Sequence, residues 1–131
     1  MLLLSGCATR PPTSFSHVQE AEWNIIETDD SLDYPEAWEQ VFMYLSKEFD
    51  IDKALRNEGY LRTGWLYTWS EDISVRYRVR VSVQFLPERD HFRFRSEAHY
   101  FNGTTWVPGT DMRLVSTLRT DLMGLVGRQT R

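Results

Sequence analysis

Val75-Arg76-Tyr77-Arg78-Val79-Arg80-Val81-Ser82-Val83-Gln84-Phe85 alternates apolar and polar residues without a break. A period of two puts Val75, Tyr77, Val79, Val81, Val83 and Phe85 on one side and Arg76, Arg78, Arg80, Ser82 and Gln84 on the other, which predicts a strand wet on one face. After Pro87-Glu88-Arg89-Asp90 the pattern resumes, with Phe92, Phe94, Ser96, Ala98 and Tyr100 set against Arg93, Arg95, Glu97 and His99. The two runs predict a long antiparallel hairpin. Its register is strongly specified, because a slip of one residue would bury a row of guanidinium groups.

Upstream, Tyr60 to Trp69 carries apolar groups on both faces and reads as another strand, preceded by a turn at Arg56-Asn57-Glu58-Gly59 and a short strand over 50–55. Trp38, Val41, Phe42, Leu45 and Phe49 recur at steps of three and four, so they share one face of a helix. That helix opens at Tyr34-Pro35-Glu36, with Asp33 as its cap residue and acids at Glu36 and Glu39 complementing its dipole. Trp23 to Thr28 predicts a first strand. Downstream, Asn102-Gly103 ends the hairpin and 104–109 reads as a loop holding Trp106. A last helix over 111–128, capped by Thr110, buries Val115, Leu118, Leu122 and Leu125, with Leu114 and Val126 widening the stripe. The expected fold is α+β, a curved antiparallel sheet of four to five strands packed on one face by two helices, in the order β-α-β-β-β-β-α.

The 131 residues hold 41% hydrophobic, 14% aromatic and 26% charged side chains, a globular composition with room for one core. Charge is divided unevenly: residues 1–60 contain twelve acids and four bases, whereas 61–131 contain seven and eleven. The two halves of the domain therefore carry opposite fields. The overall pI of 5.3 disfavours nucleic acid as a partner.

The N-terminal run Met1-Leu2-Leu3-Leu4-Ser5-Gly6-Cys7 resembles the lipobox of bacterial lipoproteins, with Leu4 at −3, small Ser5 and Gly6, and Cys7 at the cleavage point. The resemblance implies that residues 1–6 are the remnant of a signal peptide and that Cys7 is acylated. Residues 7–21, with Pro11-Pro12, then form a flexible linker, 22–128 one domain and 129–131 a tail. Cys7 is the only cysteine, so no intrachain disulfide is expected. Two or three acyl chains hold a protein firmly where one would not. In proteobacterial lipoproteins that this one resembles, a residue other than Asp after the cysteine implies the outer membrane, and Ala8 stands there.

The element order, the helix Pro35-Glu36-Ala37-Trp38-Glu39-Gln40-Val41, the segment Glu58-Gly59-Tyr60-Leu61-Arg62-Thr63-Gly64-Trp65 and the Arg/Val hairpin together resemble the small helix-grip domains of BamC-type accessory lipoproteins of the barrel-assembly machinery. Such proteins carry two of these domains after a long N-terminal segment, whereas 131 residues accommodate one. What carries over is a periplasm-facing, lipid-anchored envelope protein.

The first candidate surface is the arginine face of the hairpin, Arg76, Arg78, Arg80, Arg93 and Arg95 joined by Arg62, with Glu97 as the acid among them. Guanidinium forks fit carboxylate or phosphate groups. A solvated outer face, or neutralisation by Glu27, Glu36 or Asp50, accounts for the same residues. The second candidate is an aromatic groove between sheet and last helix at Trp65, Trp69 and Trp106, against the alternative that these rings fill the core.

His17, His91 and His99 are not at metal-ligand spacing. Neither a Gly-rich phosphate loop nor a Gly-x-Ser-x-Gly elbow occurs, so no catalytic residue, metal or cofactor is expected. The sequence thus predicts a non-catalytic domain, anchored by lipid at Cys7, that binds another envelope component, probed against the alternative of a small apolar-ligand carrier. Oligomeric state is left open.

Overall fold

Among the described residues the fold is an antiparallel sheet with two helices, and the hairpin identified in the sequence is its spine. The computed structural model describes residues 10–69 and 76–129, so Cys7 and the lipobox, Glu71, Asp72 and Val75 lie outside it. The strands are β1 (Phe15–His17), β2 (Asn24–Glu27), β3 (Ile51–Leu55), β4 (Tyr60–Thr63), β5 (Leu66–Trp69), β6 (Arg76–Phe85), β7 (His91–Phe101) and β8 (Trp106–Asp111). The helices are α1 (Tyr34–Ser46) and α2 (Met112–Val126).

Strands β6 and β7 pair from Tyr77↔Tyr100 to Phe85↔Phe92, the longest ladder in the molecule. Each is long enough to take two shorter strands end to end on its outer edge. β7 pairs with β2 through 91–94 and with β8 through 98–101, while β6 pairs with β5 through 76–79 and with β4 through 82–84. β3 closes one edge on β4 and β1 the other on β8, and the sheet does not close on itself. Among the described residues eight strands therefore replace the four to five expected.

The additions have local causes. The run 60–69 breaks into β4 and β5 at Gly64-Trp65, where the Gly64 N–H bonds the Asp50 carbonyl instead of the β6 ladder. Phe15–His17, expected within the linker, forms β1 because the Phe15 ring packs edge-on against Tyr77 and Tyr100. Residues 106–111, expected partly as a loop, form β8 despite Pro108 and Gly109. A side chain at Gly109 would collide with the Phe15 ring and the Ser16 carbonyl, so only glycine lets β1 and β8 approach.

The helix starts follow their caps. Asp33 accepts from the Glu36 N–H at 2.9 Å and Glu36 accepts in return from the Asp33 N–H at 3.2 Å, a reciprocal capping box. α2 is capped by Asp111 rather than Thr110, through the Leu114 N–H at 3.0 Å. Asp111 also accepts from the Tyr77 and Ser14 hydroxyls, so one buried carboxylate ties β6, the segment before β1 and α2 together.

The core lies between the helices and the inner sheet face, where Val81, Val83, Phe92, Phe94 and Leu61 are inaccessible beneath Val41, Leu45, Leu118 and Leu122. The predicted inward residues of the hairpin from Tyr77 to Phe85 and from Phe92 to Ala98 are buried, and the predicted outward residues from Arg78 to Gln84 and from Arg93 to His99 are partly exposed, except Ser82, which the neighbouring side chains of the outer face cover. Leu125, expected in the buried stripe, is 42% exposed. It sits three residues from Leu122 on the flank that turns away from the sheet. Among the described residues no helix is long and apolar enough to cross a membrane.

Candidate functional site: an arginine–tryptophan face

Alternation on β6 and β7 sends Arg78, Arg80, Arg93 and Arg95 to the face opposite the helices, and none of them is fully exposed. Three tryptophans supply the cover. The Arg78 guanidinium carbon lies 4.3 Å from the centroid of Trp65 and 4.2 Å from that of Trp106, and Arg80 lies 4.3 Å from Trp65. Trp23 takes the other pair, with Arg93 at 4.3 Å and Arg95 at 4.5 Å. Each contact is within the range where the ring quadrupole attracts a cation.

Hydrogen bonds then fix the planes. Arg80 donates from Nε and Nη2 to Glu97 Oε1 at 3.0 and 2.9 Å. Arg62 donates from Nε and Nη2 to Asp52 Oδ2 at 3.2 and 2.6 Å, which holds the Asp52 carboxyl below the usual carboxylate range. Arg78 meets His99 Nδ1 at 3.0 Å through Nη2 and donates to the Tyr67 hydroxyl at 3.3 Å. Burial, followed by the field of Arg78, lowers the His99 pKa, so the imidazole is neutral and its Nδ1 free to accept. Its ring also packs 4.7 Å from Trp65.

The two sequence candidates thus become one surface. Trp65 and Trp106 do not line a groove beneath the last helix; they stack on the arginines of the opposite face, because the Gly64-Trp65 break and the β7–β8 turn both deliver their side chains there. The Trp69 side chain lies outside the described residues. Nor is the face simply solvated, since its charges are half-buried under indole rings. Of the acids expected to fold across, Glu27 pairs with Arg128 and Glu36 serves its own helix cap. Asp52, which was not expected from the sequence as a partner, is the acid that pairs with Arg62. Arg76 is exposed at the end of β6 and has a partner of its own.

Trp23 and His99 are the members the sequence reading missed as part of the site. Trp23 precedes Ile25 and Glu27 on the outward phase of β2, so the period-two signal was present but short. Among the described residues, Arg78, Arg93 and Arg95 have no carboxylate partner.

Comparison of the sequence with family models and with curated proteins finds no match. The geometry therefore carries the functional argument.

On the helix side a second feature opens between the C-terminal end of α1, α2 and the β5–β6 pair. It is a half-open pocket of about 370 Å³ lined by Tyr44, Leu45, Phe49, Leu66, Val79 and Leu118, among others. At its rim the Tyr44 hydroxyl donates to Asp121, and burial with that carboxylate pushes the phenol pKa up. Among the described residues no tryptophan lines it.

Among the described residues no group of three or more His, Cys, Asp or Glu side chains is placed to hold a metal ion. What the arginine–tryptophan face offers chemically is recognition: flat, oriented donors with an aromatic floor and a surplus of positive charge.

Proposed function

We propose that this chain is a lipid-anchored, non-catalytic domain facing the periplasm, held at the outer membrane through Cys7, and that it binds another cell-envelope component with the outer face of its sheet. The observation that carries the reading is that Arg78, Arg93 and Arg95 have no carboxylate partner among the described residues, although all three guanidinium groups are held in place by Trp106, Trp65 and Trp23. An arginine kept for folding alone is normally paired, whereas planar, pre-ordered and uncompensated donors lose little entropy when an acidic partner docks. The likeness of the segments 35–41 and 58–65 to helix-grip envelope lipoproteins motivates the kinship, and the apolar run ending at Cys7 motivates the anchor.

Site-specific photo-crosslinking in cells tests the contact face. A benzophenone side chain at Gln84, on the outer face, is expected to give a discrete adduct that the same group at Met43, on the exposed side of α1, does not. Adducts from Met43 alone would move the contact to the helices. Membrane fractionation of Cys7→Ser tests the anchor, and unchanged membrane association with the signal segment processed would refute it.

The pocket beneath α1 and α2 favours a second reading, a carrier of a small apolar ligand, because about 370 Å³ falls within the range of sites that enclose such molecules. Uptake of an apolar fluorescent probe, abolished by Leu66→Trp, would support it.

A further inference from the structure

The outer face is not uniform. Arg80 and Arg62 have carboxylates and Arg78 has His99 and Tyr67, but among the described residues the side-chain partner of Arg93 and Arg95 is the Trp23 ring alone. Both guanidinium carbons lie within 4.5 Å of one ring centroid, so two positive charges share a small patch. The Nε atoms of both are buried without a hydrogen-bond partner among the described residues. Ser82, directly across the ladder from Arg95 and on the same outward phase of β6, is 1% exposed, and its hydroxyl is also without a partner.

The nearest charges do not resolve this. Glu97 is next along β7 but is engaged by Arg80. Glu20 and Glu22 precede Trp23 in the chain and form no ion pair with either arginine. Glu27, on the outward phase of β2, is held by Arg128.

We propose that Arg93 and Arg95, braced on Trp23 beside Ser82, form a binding site for a phosphate group. This rests on the proposed role of the outer face and names the chemistry of one part of it. A lone carboxylate fills one fork, whereas a tetrahedral phosphate presents enough oxygens for the terminal N–H groups of two. The indole removes water from one side of both cations, which strengthens their attraction for an anion arriving on the other. The phosphate can belong to a lipid head group or to a soluble molecule. Ile25, paired in register with Arg93 and 62% exposed, lies beside the site and would meet the apolar part of a lipid.

The test uses the full chain carrying Cys7→Ser, so that no acyl group contributes, labelled with ¹⁵N in its arginines. Their Nε–H signals are followed as inorganic phosphate replaces chloride at constant ionic strength. The signals of Arg93 and Arg95, assigned from Arg93→Lys and Arg95→Lys, are expected to shift along a saturating curve while that of Arg119, on α2 and assigned from Arg119→Lys, does not. Arg95→Lys keeps the charge but loses the fork, and is expected to weaken binding by roughly tenfold. Shifts that are linear and alike for all arginines, or no shifts, would overturn the proposal.

A second arm measures sedimentation with phosphatidylglycerol vesicles. Saturable phosphate binding with co-sedimentation lost in Arg93→Gln/Arg95→Gln assigns the phosphate to a lipid, and saturable binding without co-sedimentation assigns it to a soluble molecule. Loss of the Gln84 crosslinks with phosphate binding intact removes the envelope partner and leaves the phosphate site. The reverse pair of results removes the site alone.

Discussion

Replacing Arg80 by serine separates a decorative charge from a structural one. A charge on the wet face of a hairpin is expected to matter little, with substitutions there usually within about 0.5 kcal/mol. The structure gives a larger figure. Arg80 lies over Trp65 at 4.3 Å, a contact worth about 1 kcal/mol when partly desolvated. Its pair with Glu97 leaves the two side chains only 22% and 23% exposed, so after allowance for screening it adds about 0.5–1 kcal/mol. The methylene stem covering the sheet contributes a further fraction. Arg80→Ser is therefore expected to cost about 2 kcal/mol, measured as a lower urea midpoint with an unchanged slope, followed by tryptophan fluorescence. A double-mutant cycle with Glu97→Gln is expected to show coupling of about 0.5–1 kcal/mol, and one with Trp65→Leu about 1 kcal/mol. A loss under 0.5 kcal/mol, with no coupling to either partner, would refute the stacked-layer account of this face.

Val81→Asp is expected to abolish folding, visible as loss of near-ultraviolet dichroism, because Val81 is wholly inaccessible and a carboxylate there has neither water nor partner. Asp111→Ala removes the α2 cap and strands the Tyr77 hydroxyl, and is expected to cost about 3 kcal/mol in urea unfolding; a cost under 1 kcal/mol would show that the three-element tie is redundant. His99 has a folded pKa below the ordinary imidazole value of about 6.5, so the unfolded chain protonates first and stability, complete above that pH, falls as pH drops through it. His99→Gln is expected to flatten the dependence of the urea midpoint between about pH 7 and pH 5, and an unaltered slope would place the acid sensitivity elsewhere.

The strict alternation of β6 and β7 was enough to assign faces, because one side of a half-buried sheet tolerates charge and the other does not. Asp33 with Glu36, and the three-and-four spacing of Trp38, Val41 and Leu45, likewise specified where α1 starts and what it buries; these are local signals, read within one or two turns of chain. β1 and β8 were hidden for the opposite reason. Three residues after Pro11-Pro12, and a run containing Pro108 and Gly109, carry loop chemistry, and they become strands only because the Phe15 ring fits over Gly109 against Tyr77 and Tyr100.

The candidate site divides in the same way. Its arginines were legible one by one from their phase in the hairpin, and so was their surplus over acids. That Trp23, Trp65 and Trp106 stack on them was not, since a ring and a cation separated by tens of residues meet only when β2, the β4–β5 break and the turn before β8 are all brought beside β6 and β7. Periodicity specifies which way a side chain points from its own strand. Which neighbour it finds there depends on the order of strands in the sheet, and that order is set by packing between distant segments.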